Sequence, residues 1–335
     1  MRPYGCLRDG SCVELLTLGS DDGLQAEVLT LGGTLVGLTM PIDGERVPLI
    51  LTLPDLDAYL RDRNYMGQLI GRYANRIANA TFELDGETCQ LTSNDGKHAL
   101  HGGSAPFGRE NWKVLSAREG KAGFVRLSHF SPEGSAGFPG NLKVIAAISL
   151  TGNSIRLEFE AESDAPTPIS FTWHPYFNLS GSAGAAVSSH QLRLAAASYL
   201  PVDTSWIPTG EIAPVEGTRF DYRSYSQVGT GSQRFEGQVV SPLNQCFVVD
   251  RNASVVAEVY CPRTGIHMEL RSDLPGIQVY DGHYLNQQYP GWHGLSLEPS
   301  GYPDAPNRRN FPCCILRPGH THRSFMSYTF RRVAP

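Results

Sequence analysis

Apolar and polar residues alternate with a period of two along most of this chain. In SIRLEFE (154–160), Ile155, Leu157 and Phe159 share one face of an extended segment, and Arg156, Glu158 and Glu160 share the other. That is the signature of a half-buried antiparallel strand. VVAEVY (255–260) and IHMEL (266–270) flank CPRTG and predict a hairpin. TFELDGETCQL (81–91) carries Asp85-Gly86 between two strand-like runs, a strong signal for a tight hairpin turn. KVIAAISL and LQAEVLTLGGTLVGLTM also read as strands, and the helix signals favour one short segment, PDLDAYLRD (54–62), opened by Pro54 and Asp55. Turn signals recur roughly every ten residues, as sandwiches and barrels require, and no strand–helix–strand alternation is visible. The expected fold is all-β, a large antiparallel β-sandwich with few short helices, built as a single domain over residues 1–335. SGSAGAAVSS (180–189) and VGTGSQ (228–233) read as surface loops rather than domain joints.

Composition narrows the function classes. The chain has 35 glycines and 23 prolines, which favours many short strands and turns. Its net charge is −5 and no dense Lys/Arg cluster appears, so nucleic acid is not an expected partner. No apolar run approaches the roughly 20 residues of a membrane span, and the N-terminus lacks the apolar core of a signal peptide. Seven irregularly spaced cysteines suit a reduced, cytoplasmic chain better than a disulfide framework. G-x-S-x-G, Walker A and dinucleotide-binding glycine motifs are absent. His320 and His322 lack a third ligand and read as loop or strand-edge residues, and the adjacent Cys313 and Cys314 suit buried strand positions better than zinc. No metal and no cofactor is expected.

Four polar stretches interrupt the apolar rhythm. GRYANRIANATFELDG (71–86) brings Arg72, Asn75, Arg76 and Asn79 with little local countercharge, so at least one arginine is expected to face a ligand. NDGKHALHGG (94–103) places His101 before two glycines that permit close backbone approach. In FTWHPYFNLSG (171–181), extended geometry sets Phe171 and Trp173 against Thr172 and His174, and Pro175 holds His174 extended. In GLSLEPSGYPDAPN (294–307), Glu298 leaves a strand on its polar face and Pro299 is expected to end that strand. Each residue alone also has a purely structural reading. Together they offer one carboxylate, two imidazoles and arginine donors, a set suited to acid–base chemistry on a hydroxylated substrate.

These stretches, with GIQVYDG and LEPSGYPDAPNRRNFPCCILRPG, resemble the aldose 1-epimerases (galactose mutarotases) in order and approximate spacing over most of the chain. The resemblance implies an isomerase on a large β-sandwich with an open groove. It also implies Glu298 as general base and His174 as general acid, with Arg76, Asn75, His101 and Gln278 binding a small monosaccharide. The implied protein is a monomer or homodimer. Where the family usually has Asp-His, this chain has Asn244-Gln245, which brings hydrogen bonding without charge and bears on sugar preference. Trp173, where an asparagine is common, is a smaller departure. A carboxylate of pKa about 4.3 and an imidazole of about 6.5 are oppositely protonated between them, and a rise in the His174 pKa beside Glu298 would extend that state to neutral pH. Three other readings stand beside this one: a non-catalytic sugar sensor; a glycoside-cleaving enzyme pairing Glu298 with Asp304; and an epimerase of phosphorylated sugars drawing on Arg72, Arg109 or Arg308.

Overall fold

The alternation resolves into antiparallel sheets. A computed structural model describes residues 1–181, 185–228, 242–285 and 288–333, with the backbone of two short paired strands, Arg234–Phe235 and Gln238–Val239. A five-stranded meander, Arg2–Cys6, Cys12–Gly19, Gln25–Leu29, Leu35–Ile42 and Glu45–Pro48, opens the chain. A nine-stranded sheet follows the order Lys113–Arg118, Phe124–Ser131, Leu142–Thr151, Ser154–Ser163, His322–Arg332, Ile266–Ser272, Ala257–Cys261, Gln191–Leu194, Ser226–Gln227. The C-terminal strand His322–Arg332 lies in its middle and joins two halves that are distant in sequence.

A six-stranded sheet, Tyr176–Phe177, Leu295–Ser300, Gly276–Tyr280, Asn244–Val248, Ser198–Tyr199 and Ala213–Pro214, packs against it. Alternation decides what each face does. Phe247, Ile277, Val279, Leu295 and Leu297 enter one core with Leu157, Phe159 and Met326 of the nine-stranded sheet. Tyr328 crosses between the layers and donates its hydroxyl to the Leu297 carbonyl at 3.0 Å. The intervening residues of the six-stranded sheet therefore point away from this core, and they build the cleft described below.

The hairpins predicted around Asp85-Gly86 and CPRTG form, the first with positive φ at both turn residues (52° and 92°), as a right-twisted two-residue turn requires. The one α-helix among the described residues is Leu56–Arg61, and the Asp55 carboxylate accepts the Ala58 amide at 2.8 Å as its N-cap. Pro299 does not end its strand: Leu295–Ser300 runs through it, with Pro299 opposite Ile277. The partner on the other side, Tyr176–Phe177, reaches only Leu295 and Ser296, and a proline is tolerated where a strand has lost a neighbour. In the predicted loop 180–189, Val187–Ser189 forms a short 3₁₀ turn and 182–184 lie outside the described residues, as do 229–233 of the second loop. No helix among the described residues is long and apolar enough to cross a membrane.

Candidate active site

Two rows of side chains cross the outward face of the six-stranded sheet. Cys246, Gln278 and Glu298 are cross-strand partners in one, and Asn244, Tyr280, Ser296 and Tyr176 in the next. An open cleft of about 570 Å³ lies over them, lined by Glu298, Gln278, Asn244 and Tyr280 from the sheet and by His174, His101, Asn75 and Arg76 from adjoining segments. All seven residues singled out from the sequence as site candidates thus line one cleft.

His174 and Glu298 face each other at its floor, with Nε2 and Oε1 3.5 Å apart and both side chains about 95% removed from water. His174 is clamped through its backbone: its N–H donates to the Gln68 carbonyl at 3.0 Å and its carbonyl accepts from the Gly67 N–H at 2.9 Å. The Ser296 hydroxyl lies 3.4 Å from its Nδ1. Among the described residues no arginine or lysine forms an ion pair with Glu298; the Arg76 guanidinium pairs with Asp95 instead, at 2.7 Å. Burial therefore dominates both groups. It pushes Glu298 up to about 8, against smaller lowering by Ser296 and Arg76, and it pushes His174 down to about 4. The rise expected for His174 does not occur: desolvation of the imidazolium outweighs the backbone hydrogen bond that raises it, and a carboxyl that is itself protonated brings no charge to oppose it.

The second wall comes from a twice-used local motif. Asn75 (φ 63°) donates its backbone N–H to Nδ1 of His101 at 3.2 Å, and Asn79 (φ 54°) donates its own to Nδ1 of His98 at 3.0 Å. An imidazole that accepts at Nδ1 carries its proton at Nε2. His101 therefore presents an N–H to its surroundings. Burial, followed by His174 and Arg76, holds its pKa well below the usual range and keeps it neutral. His101, His174 and Glu298 are near enough to bracket a cation, but in this tautomer Nε2 of His101 has no lone pair to give, and the set fits a hydrogen-bonding role better than a metal. The glycines after His101 do admit a close approach, by the chain itself: a Cβ on Gly102 (φ 94°) would stand 2.2 Å from the Gly71 carbonyl.

Several expected residues are elsewhere. Arg72 is buried and donates to Ser131 Oγ and to the carbonyls of Ser131, Pro132 and Pro139 at 2.8–3.0 Å, so it ties a turn together. Arg109 donates to the carbonyls of Tyr59, Leu60 and Asp62. Arg308 pairs with Asp304, which also accepts the Ala78 amide at 2.9 Å, while the Asp304 amide donates to the Arg76 carbonyl at 2.8 Å. Asp304 thus anchors the backbone beneath Arg76 and is no partner of Glu298. Trp173 is fully buried in the main core with its indole N–H on the Gly67 carbonyl, so it takes no part in the cleft. Cys313 is exposed and Cys314 half-buried, both preceding the short strand Ile315–Leu316 rather than lying within one. His320 is exposed, as the loop reading has it, whereas His322 is half-buried and opens the C-terminal strand in the middle of the nine-stranded sheet, packed edge-on against Phe171 rather than at an exposed edge.

The sequence reading overlooked Tyr65, Tyr176, Tyr280 and Tyr284, which line the cleft with Arg63 and Asn64. Period two held the signal for three neighbours: Tyr176 is two residues from His174, Tyr280 two from Gln278 and Ser296 two from Glu298. Tyr65 had no such cue. It adopts φ 56° in a turn fixed by the Asp62 carboxylate, which accepts the Asn64 and Met66 amides at 2.9 and 2.7 Å. Its ring lies 4.6 Å from that of His101.

An antiparallel sandwich whose outward rows meet a buried imidazole–carboxylate pair has the architecture of the mutarotase-like sandwiches. The aldose epimerase homologue from C. elegans superimposes with a TM-score of 0.90 at 30% identity, covering 96% of this chain and all of that one. Galactose 1-epimerase from Lactobacillus acidophilus NCFM gives 0.87 at 26%, covering 99% and 98%. The chain belongs to the aldose 1-epimerase family, whose model matches residues 14–329, and it is accordingly an isomerase. It is 35% identical to galactose mutarotase of Homo sapiens over 93% of this chain and 92% of that one. It is 33% identical to aldose 1-epimerase of Escherichia coli K12 over 96% of each.

Proposed function

We propose that this protein interconverts the α- and β-anomers of a free aldose within one 335-residue domain, by acid–base ring opening at His174 and Glu298. The observation that carries this reading is the 3.5 Å imidazole–carboxyl pair at the floor of the cleft, without an ion-pairing cation among the described residues. Anomer exchange needs a proton taken from the anomeric hydroxyl and another given to the ring oxygen. A pair holding one proton between two sites supplies both functions.

With Glu298 at about 8 and His174 at about 4, the pair holds that single proton from about pH 4 to about pH 8. In the free protein it rests on the carboxyl. Its transfer to His174 gives the carboxylate base and imidazolium acid, and Arg76 favours the carboxylate electrostatically. Glu298 then accepts the anomeric hydroxyl proton while His174 protonates the ring oxygen. The C1–O5 bond breaks, the aldehyde forms, and C1 turns about its bond to C2. Closure on the other face runs the two transfers in reverse and restores the pair. His101 donates Nε2–H to a sugar oxygen. Arg76, Asn75, Asn244 and Gln278 hold the remaining hydroxyls, with Gln278 Nε2 already donating to Asn244 Oδ1 at 2.6 Å. Among the described residues Glu298 is the only carboxylate lining the cleft, so nothing described there favours a two-carboxylate glycosidase.

Galactose is the first sugar to try, since it is the one that the relatives' names give. Freshly dissolved α-galactose followed by polarimetry tests the reading. Folded Glu298→Gln should lose catalysed rotation by about 10²- to 10⁴-fold while still binding sugar in calorimetry. A folded variant with the wild-type rate would sink the assignment.

A further inference from the structure

At the start of the five-stranded sheet, Cys6 and Cys12 are directly opposed across the hairpin formed by Arg2–Cys6 and Cys12–Gly19. Both are exposed, and their sulfurs are 3.5 Å apart. The ladder explains the approach. The Leu7 amide donates to the Ser11 carbonyl at 2.8 Å, which makes the next pair inward, Cys6 and Cys12, a non-hydrogen-bonded one. Such pairs bring their Cα atoms to about 4.5 Å and their side chains closest together, within the span a disulfide bridges. The hairpin is well fixed: the Asp9 carboxylate accepts from the Ser11 amide and hydroxyl at 2.9 and 2.7 Å, and Gly10 takes φ 85° to turn the chain. The remaining cysteines have no such arrangement. Cys246 and Cys261 are buried, Cys89 is half-buried, and Cys313 and Cys314 are chain neighbours.

We propose that Cys6 and Cys12 form a reversible dithiol–disulfide site, oxidised by hydroperoxides. A thiolate of the pair attacks the peroxide and the O–O bond breaks. The product is a sulfenic acid on that sulfur and a hydroxide or alkoxide that takes a proton to leave as water or alcohol. The second thiol, losing its proton, then attacks the sulfenic sulfur and expels hydroxide, which leaves as a second water. Two thiols and one peroxide thus become one disulfide, one alcohol or water, and one further water. The Cys6 thiol raises the Cys12 pKa, as expected of two sulfurs sharing a proton. The sulfurs already face each other at 3.5 Å, so closing the bond brings them about 1.5 Å nearer. The bond would staple the first strand, whose Gly5 packs under Leu56 of the helix.

The sequence provides a clean readout. Trypsin cuts after Arg8, between the two cysteines, and next after Arg46. In full-length protein treated with hydrogen peroxide, alkylated and digested, peptides 1–8 and 9–46 should run as one joined species. That species should weigh two hydrogens less than their sum and should separate on adding dithiothreitol, and two fewer thiols per chain should react with Ellman's reagent after denaturation. Cys12→Ser should instead leave Cys6 as a sulfenic acid that dimedone captures, an adduct scarce in wild type because the second thiol intervenes first. The inference is overturned if the two peptides separate without reductant, if the missing thiols map to Cys313 and Cys314, or if peroxide yields chain-to-chain dimers linked through Cys6 or Cys12. None of these readouts depends on sugar turnover.

Discussion

Two buried histidines in this protein each stand beside a glutamate. His174 lies 3.5 Å from Glu298 in the cleft, and His267 lies 3.3 Å from Glu258 on the nine-stranded sheet. The separations are nearly equal, but the surroundings differ. Glu258 is gripped by Arg193, while Arg331 donates to Nδ1 of His267 at 3.2 Å and also pairs with Glu269. The Tyr225 hydroxyl lies 2.9 Å from the remaining ring nitrogen. That pair has its hydrogen-bonding capacity taken up and its charge neutralised. The cleft pair has one serine beside it and an arginine that turns to another carboxylate. A buried acid–base pair becomes available for chemistry when the protein withholds the groups that would otherwise satisfy it.

The largest effect that distinguishes the two comes from removing each imidazole. His174→Gln should lower kcat/KM by about 10²- to 10⁴-fold in the polarimetric assay. His267→Gln should leave turnover intact and lower the melting temperature instead. Equal losses of activity from two folded variants would erase the distinction. The next effect is in pH. Below about 4 both members of the cleft pair are protonated and the base is gone; above about 8 both are deprotonated and the acid is gone. The profile of kcat/KM should therefore be a bell with limbs near those values, and a single limb near pH 6.5 would contradict it.

Stability should move in opposite directions at the two glutamates. The folded pKa of Glu298 lies above its unfolded value of about 4.3. As pH rises toward about 8, the unfolded carboxyl ionises while the folded one does not, and stability is lost across that window. Glu298→Gln removes this loss and should gain roughly 1–3 kcal/mol at pH 8 in denaturant melts, with the gain vanishing near pH 4. Glu258→Gln leaves Arg193 and His267 short of an acceptor and should lose roughly 1–3 kcal/mol. The smallest expected change is at Asn244. A carboxylate there would still accept from Gln278 and would add charge near Glu298, so Asn244→Asp should move the upper pH limb upward and shift KM by less than about tenfold. An unmoved limb would mean that the residue does not sense the pair.

The sandwich was readable because its physics is local. Ile155, Leu157 and Phe159 alternate with charges whatever the rest of the chain does, and Asp85-Gly86 dictates its own turn. Half of the cleft was readable for the same reason, since Glu298, Gln278 and His174 interrupt apolar strands. Other features depended on contacts between distant segments. Arg72 and Arg76 have the same chemistry four residues apart, and only the turn at 131–139 captures one of them. The protonation of His174 depends on how completely other segments exclude water, which no local pattern encodes. Tyr65 reaches the cleft through a turn organised by Asp62, and an isolated tyrosine in RDRNYMG announces nothing.

The bond from the Asn75 amide to His101 has a consequence for anyone designing a ligand. It gives one spot in the cleft a permanent polarity: Nε2 offers hydrogen and accepts none, and burial keeps it so where a solvent-facing imidazole would have charged. A lone pair placed opposite it, on a ring oxygen, an ether or a carbonyl, gains a partner. An ammonium or amide N–H placed there meets another donor and is expelled. An iminosugar protonated at the ring nitrogen, a common way to mimic developing positive charge, would therefore bind in a pose that turns that nitrogen away from His101.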